Sequence, residues 1–187
     1  MEFFIGIGLV IVLAYYLYAR LIKLKNNTLE ALSSIDVQLK KRHDLIPNIL
    51  TIAKKFMDHE DAVLTKVTQM RAISNSDYDK NKPEEVAQHI EANKGLQSAM
   101  MNLFAVAENY PDLKSQDTMI RAQETFEEVE GHISAARRFY NSCVTDLKNA
   151  VDIFPSSIIA GMINIKAMPY FEIDEGEKKS IDAAEFL

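Results

Sequence analysis

An uncharged segment near the start of the chain restricts its fold more than any other feature. Residues 3 to 19 read FFIGIGLVIVLAYYLYA and contain no charged side chain. As an α-helix this run reaches roughly 25 Å, and the flanking Arg20 and Lys23 can extend their stems along lipid to complete the ~30 Å hydrocarbon core of a bilayer. Residues 1–24 are therefore predicted to form a single transmembrane anchor.

The residues at the end of this run predict its position and orientation. The interfacial residues are expected to be Tyr15, Tyr16, Tyr18, Arg20 and Lys23. Positive charge follows the run and an acidic residue precedes it, so the positive-inside rule puts the following domain in the cytoplasm. A cleaved signal peptide is the alternative, but the segment lacks a basic start and a small-residue cleavage site, which favours an uncleaved anchor.

The composition of the rest of the chain predicts an all-α fold. The 187 residues include only 6 Gly, 5 Pro and no Trp, and helix-forming residues dominate. No Gly or Pro lies between Gly8 and Pro47, so the anchor is expected to continue without a break into a helical bundle over 25–154. The net charge of -6 offers no basic face to nucleic acid.

Apolar periodicity and turn formers divide this bundle into three to four helices. The first helix is expected to end near residue 57, and a short second helix leads into the polar turn-forming stretch 74–83. A third helix is predicted from Pro83 to Tyr110, where Pro111 closes it, and a last one from 115 to 154.

A proline lies inside the predicted first helix without interrupting its apolar stripe. Leu39, Ile46 and Ile49 keep helical spacing on both sides of Pro47. Proline has no N–H for the carbonyl four residues earlier, that of His43, and this defect costs about 3 kcal/mol in a helix interior. We therefore expect one helix bent at Pro47, with the freed carbonyl available to a polar network.

Charged residues occupy inward positions of the predicted last helix. Its stripe contains Glu130 and Arg137, which need partners because an unpaired buried charge costs several kcal/mol. The predicted structural polar core consists of Arg42, His43, Asp44, Glu130 and Arg137. Such pairs fix helix register, which is the preferred interpretation. The alternative interpretation is a functional site, in which a histidine beside carboxylates and arginines would bind an anion or relay a proton.

The sequence contains no recognised catalytic or metal-binding motif. Its histidines, His43, His59, His89 and His132, form no HExxH or His-x3-His arrangement. A glycine-rich phosphate loop and a nucleophile elbow are also missing. We therefore predict no metal, no cofactor and no enzymatic activity, and the weaker alternative is a hydrolase that uses His43 and Asp44.

The end of the chain changes from apolar to acidic. Residues 155–173 include a group of large apolar side chains: Ile158, Ile159, Met162, Ile163, Ile165 and Met168. They must cover the bundle, a partner or the bilayer surface. Lys166 is the only cation between Pro155 and Tyr170, so packing on the bundle or on a neighbouring copy is preferred to electrostatic attachment to lipid. The acidic residues 174–187 are predicted to be a flexible tail.

Five motifs follow one another along the chain. They are IDVQLKKRHDLIPNIL at 35–50, ENYPDLKS at 108–115, EGHISAARRFYNSCV at 130–144, FP at 154–155 and YFE at 170–172. In this order behind one apolar segment, they resemble the LemA family of bacterial membrane proteins, over essentially the whole chain. The resemblance implies an antiparallel α-helical bundle tethered to the bacterial inner membrane, with a short N-terminus outside and the C-terminal domain cytoplasmic. It implies no reaction.

These observations lead to three functional hypotheses. The first is a membrane-anchored, non-enzymatic scaffold or adaptor whose partners are the lipid bilayer and either further copies of itself or another membrane protein, with no nucleic acid and no known small molecule. The second is a regulatory or signalling component in which the charged core is a two-state switch. The third is the unrecognised hydrolase.

Overall fold

The computed structural model describes residues 1–57 and 59–171, apart from the side chain of Glu2. Within these residues the chain forms six helices: α1 (Glu2–Ala53), α2 (Asp61–Ser74), α3 (Pro83–Ala107), α4 (Pro111–Lys114), α5 (Asp117–Asp152) and α6 (Ser156–Met162). The described part contains no strand, which confirms the prediction of an all-α fold. The predicted acidic tail at 174–187 and the last residues of the apolar segment, 172–173, lie outside the described residues.

The longest helix, α1, has two parts that differ in burial. Its first turns carry exposed apolar side chains, among them Phe4 at 77% and Leu9 at 67%. Farther along, one face is fully buried, and its apolar members include Leu21, Leu32, Ile35, Ile46 and Ile49. The helix passes through Pro47 and continues to Ala53. Among the described helices, only α1 is long and apolar enough to cross a membrane.

Helices α1 and α5 pack along each other in opposite directions. Thr28 donates to the backbone carbonyl of Cys143 at 3.3 Å, and farther along α1 Arg42 pairs with Glu130 at 3.0 Å. Residue numbers on α5 fall as those on α1 rise, which defines an antiparallel pair with a constant register. The buried face of α5 has helical spacing and consists of Met119, Ala122, Phe126, Val129, Ile133, Tyr140, Val144, Leu147 and Ala150.

The α2–α3 pair packs against this long pair and completes the bundle. At the end near the α1–α2 turn, Ile49 and Phe126 belong to one apolar cluster, and at the opposite end Leu32 and Tyr140 belong to another. Pro111, which the sequence places at the close of the third helix, instead begins the short helix α4. This position suits proline because the first residues of a helix have no intrahelical acceptor for their N–H groups.

After α5 the chain turns back on the bundle through α6. Ala160 of α6 packs with Leu21 of α1 and Ala150 of α5. Beyond the helix, Asn164 adopts a positive φ of 54°, and the N–H of Ile165 bonds the carbonyl of Ala160 at 3.0 Å. This is a Schellman arrangement in which asparagine takes the left-handed position more often held by glycine.

The chain then runs along α5 to residue 171. The side chain of Asn141 clamps the backbone of Phe171, because Nδ2 donates to its carbonyl and Oδ1 accepts from its N–H, both at 2.9 Å. The Tyr140 hydroxyl donates to the carbonyl of Pro169 at 3.0 Å, and its ring meets the Phe171 ring edge-on at 5.3 Å. Met168 and Phe171 are buried, so this part of the apolar segment packs on the bundle.

Candidate functional site

A fully buried arginine lies inside the bundle. Arg42 of α1 is 0% exposed, and its Nη1 lies 3.0 Å from Oε1 of Glu130 on α5. Its Nη2 donates to Asn93 of α3, to the side-chain oxygen at 2.8 Å and to the backbone carbonyl at 3.3 Å. The guanidinium therefore connects three helices through charge-assisted hydrogen bonds, which are stronger than neutral ones.

The contacts of Arg42 extend into a longer chain of polar groups. Nδ2 of Asn93 donates to the carbonyl of His89 at 2.9 Å and lies 3.2 Å from Nε2 of the same residue. That ring nitrogen is 3.4 Å from Oδ1 of Asp36 on α1. Polar side chains of α1, α3 and α5 thus form a continuous path through the bundle.

Asp36 also receives contacts from the loop between α2 and α3. The Tyr78 hydroxyl donates to both of its carboxylate oxygens at 2.9 and 3.0 Å, and Nζ of Lys80 lies 2.6 Å from Oδ2. The Tyr78 ring stacks on the His89 ring with the centroids 4.0 Å apart. The polar stretch that the sequence predicts as a loop is thereby joined to α1 and α3.

These contacts set the charge state of Asp36. Burial raises its pKa, but hydrogen bonds from His89, Lys80 and Tyr78 outweigh that effect, so the pKa lies below its ordinary value of 3.8. Burial and the adjacent negative charge raise the pKa of Tyr78. At neutral pH an ionised carboxylate therefore accepts from a protonated hydroxyl. We call the connected set the polar network: Asp36, Arg42, Tyr78, Lys80, His89, Asn93 and Glu130.

His43 makes a separate, reciprocal contact with α2. Its Nε2 lies 3.0 Å from the carbonyl of Arg71, and Nε of Arg71 donates to the carbonyl of His43 at 3.2 Å. This carbonyl is the one that Pro47 leaves without a helical donor. The sequence suggested that the freed carbonyl would serve the network around Glu130, but in the structure its donor comes from α2.

Besides His43, two more of the predicted polar-core residues, Asp44 and Arg137, do not join Arg42. Asp44 lies outside the core, because its side chain is 57% exposed and pairs with Lys40 on the same helix. Arg137 is half-buried, with Nη1 donating to Oε1 of Gln97 at 3.3 Å and the guanidinium carbon 5.4 Å from the centre of the Phe171 ring. Arg137 therefore connects α3 and the C-terminal segment to α5.

The structure gives no geometric support to a hydrolase built on His43 and Asp44. The imidazole of His43 faces the carbonyl of Arg71, whereas Asp44 points to the surface and to Lys40. Consecutive helical residues point about 100° apart, which explains the separation. Among the described residues, no group of three or more His, Cys, Asp or Glu side chains is placed to hold a metal ion.

A groove opens beside the polar network. It has a volume of ≈ 290 Å³, and its walls include Asp36, His43, Tyr78, His89 and Asn93. The groove presents a carboxylate together with hydroxyl, amide and imidazole groups. This set can hold helices in register or bind a small polar ligand.

The sequence-based prediction missed most of the partners of Arg42 and Asp36. Asn93 carries a usable signal, because it lies on the buried stripe of α3, where a polar side chain needs a partner. Asp36 itself lies in the same conspicuous motif as Arg42. His89 and Tyr78 carry no such signal, because their contact depends on the path of the loop before α3.

Comparison with protein-family models matches residues 31–186 to the LemA family. The chain belongs to the LemA family. The match confirms the resemblance seen in the motifs, and it includes every member of the polar network. This LemA chain is also similar to Protein LemA of Metamycoplasma hominis, with 26% identity over 176 residues that cover 91% of this chain and 78% of the relative.

Proposed function

We propose that this LemA protein is a membrane-anchored, non-enzymatic scaffold or adaptor at the cytoplasmic face of the bacterial inner membrane. There it assembles with copies of itself or with another membrane protein. The observation that carries the proposal is the continuity of α1, which joins the apolar segment to the core of the bundle without a linker.

The continuity of α1 has a mechanical consequence. The helix comprises 52 residues, and its exposed apolar turns lead directly into the turns buried by α5. A helix of this length reaches roughly 80 Å, of which a bilayer core accounts for about 30 Å. A bundle built around the same helix is held at a fixed distance and angle to the bilayer, as suits a protein that presents a binding surface to membrane partners.

The charge pattern supports a cytoplasmic bundle. Arg20, Lys23 and Lys25 follow the uncharged run directly. Basic residues within a few turns of a span favour the cytoplasmic side. Since these residues lie on the same helix as the buried stripe, this orientation carries the whole bundle to the cytoplasmic face.

The proposal is tested by the mass of the complex that a mild detergent releases from native membranes, with the co-purifying proteins identified by mass spectrometry. A homogeneous multiple of 21.2 kDa supports self-assembly. One companion protein at fixed stoichiometry supports an adaptor and identifies its process. A monomer that retains no companion contradicts the proposal.

The groove beside the polar network favours a second candidate, a regulatory component. Asp36 and His89 line the groove, and both contact Tyr78 of the α2–α3 loop, Asp36 through a hydrogen bond and His89 through ring stacking. A small ligand that competes for these groups would change how tightly the loop is joined. The test is a thermal-shift screen with small ions, one at a time, in which a ligand stabilises the wild type and not Asp36→Asn. A panel that shifts neither protein would count against this function.

A further inference from the structure

An apolar patch lies exposed where the chain passes from α5 into α6. Its members are Ile153 at 58%, Phe154 at 74%, Ile158 at 57% and Met162 at 80% exposure. Ile158 and Met162 are four residues apart and share one face of α6, while Ala160 packs inward on Leu21. We call this surface, formed by the four residues, the α6 patch.

The register of the α1–α5 pair places the α6 patch beside the membrane anchor. Ala150 packs with Leu21, so the next residues of the chain, Ile153 and Phe154, reach the level of Leu17 and Tyr18. Burial agrees with this placement, because Leu17 is 8% exposed although it lies within the uncharged run. The patch therefore lies at the depth where α1 leaves the hydrocarbon.

The sequence around the α6 patch also suits the boundary between the hydrocarbon and the lipid headgroups. Residues 153–165, IFPSSIIAGMINI, contain no charged side chain. Lys25 and Lys166, from distant parts of the chain, line one groove with Asn164 and Ile165 at the end of this segment, and the same groove also holds Lys80, Lys82 and Glu84. An uncharged segment that ends beside lysines matches the acyl and anionic phosphate layers of a cytoplasmic leaflet.

We propose that the α6 patch is a second membrane contact, which inserts Phe154, Ile158 and Met162 into the cytoplasmic leaflet beside α1. The proposal rests on the membrane anchoring in the proposed function. It adds that the bundle touches the bilayer on its α6 side and is thereby fixed against rotation about α1. The occupant of the patch is lipid and not a second copy of the chain, because the α6 patch begins at the level of Leu17 and Tyr18, where the exposed apolar surface of α1 ends.

The chain has no tryptophan, so one introduced tryptophan reports its own surroundings. Full-length Phe154→Trp is reconstituted in phosphatidylcholine vesicles, in which a rising share of the lipid carries bromine in the upper acyl chain. Met162→Trp repeats the test on α6. Tyr16→Trp, on the exposed face of the anchor, is the positive control. Phe139→Trp, at a 60% exposed position of α5 far from the anchor, is the negative control.

The proposal predicts that the emission of Phe154→Trp and Met162→Trp falls with brominated lipid as that of Tyr16→Trp does, while Phe139→Trp does not change. If only Tyr16→Trp is quenched, the anchor stands and the α6 contact is refuted. Blue-shifted emission of Phe154→Trp without quenching would assign the patch to a second copy of the chain and also refute the proposal. If Tyr16→Trp is not quenched, the anchor and the α6 contact are both wrong.

Discussion

Truncation of Glu130 is expected to destabilise the fold strongly, because it leaves the charge of Arg42 inside the bundle. Arg42 is 0% exposed, and Glu130 is its partner carboxylate at 3.0 Å. In Glu130→Ala the guanidinium keeps only its two contacts with Asn93, at 2.8 and 3.3 Å. A neutral amide and a carbonyl do not neutralise a buried positive charge.

The size of the effect follows from the remaining partners and the local exposure. A hydrogen bond to a charged group contributes about 1.5–3 kcal/mol, and breaking a buried ion pair costs about 3–5 kcal/mol. Glu130 is 20% exposed, so water partly replaces the lost carboxylate. We therefore expect a loss of about 2–3 kcal/mol, which corresponds to a fall of roughly 4–12 °C in the melting temperature of a chain of this size.

The assay is thermal unfolding of the full chain in detergent micelles, followed by circular dichroism. Asp44→Ala is the matched control, since it removes an exposed carboxylate from the same bundle and should melt with the wild type. The double variant Arg42→Met with Glu130→Ala removes both charges and should recover part of the lost stability, since it still leaves the side-chain oxygen and the carbonyl of Asn93 without the guanidinium donor. If Glu130→Ala melts within a degree or so of the control, or the double variant melts lower still, the stranded-charge explanation is refuted.

Three further predictions follow from individual contacts. Because folding lowers the pKa of Asp36, its ionised form stabilises the protein at pH values above the ordinary pKa of 3.8, and this contribution is lost as the pH falls through the lower pKa of the folded state. Asp36→Asn should therefore flatten the acid limb of the stability curve, measured by unfolding at stepped pH. Asn141→Ala removes two hydrogen bonds to the C-terminal segment and should speed amide exchange over residues 165–171, whereas the exposed Asn149→Ala should not. Pro47→Ala restores a helical N–H to the carbonyl of His43, which Arg71 now bonds. The gain in melting temperature from Pro47→Ala should therefore be larger in an Arg71→Ala background. Equal gains in the two backgrounds would show that Arg71 does not replace the missing helical donor.

The features that depend on helical periodicity were predictable from the sequence. The apolar spacing on both sides of Pro47 predicted one helix there, and α1 does pass through this residue. The charged positions on the inward stripe of the last helix pointed to Glu130, which the structure joins to Arg42. Both arguments rest on local patterns that tertiary contacts reinforce.

The features that could not be predicted from the sequence depend on which face of a helix a residue occupies and on the path of a loop. Asp44 was grouped with Arg42 because the two are close in sequence, but residues two apart on a helix point about 200° apart, and the structure places Asp44 at the surface. Lys80 and Tyr78 reach Asp36 only because the α2–α3 loop folds against α1. No local pattern encodes that path.

Cysteine labelling can show whether α1 carries the bundle from the bilayer into the cytoplasm. Cys143 is the only cysteine and is replaced by serine. New cysteines are then placed singly before Glu2 or at the exposed Lys55, and spheroplasts are treated with a membrane-impermeant maleimide. With a cytoplasmic bundle, we expect labelling of the N-terminal cysteine in intact spheroplasts and of Lys55→Cys only after lysis. Labelling of Lys55→Cys in intact spheroplasts, or recovery of a chain that has lost its first residues, would refute this membrane topology.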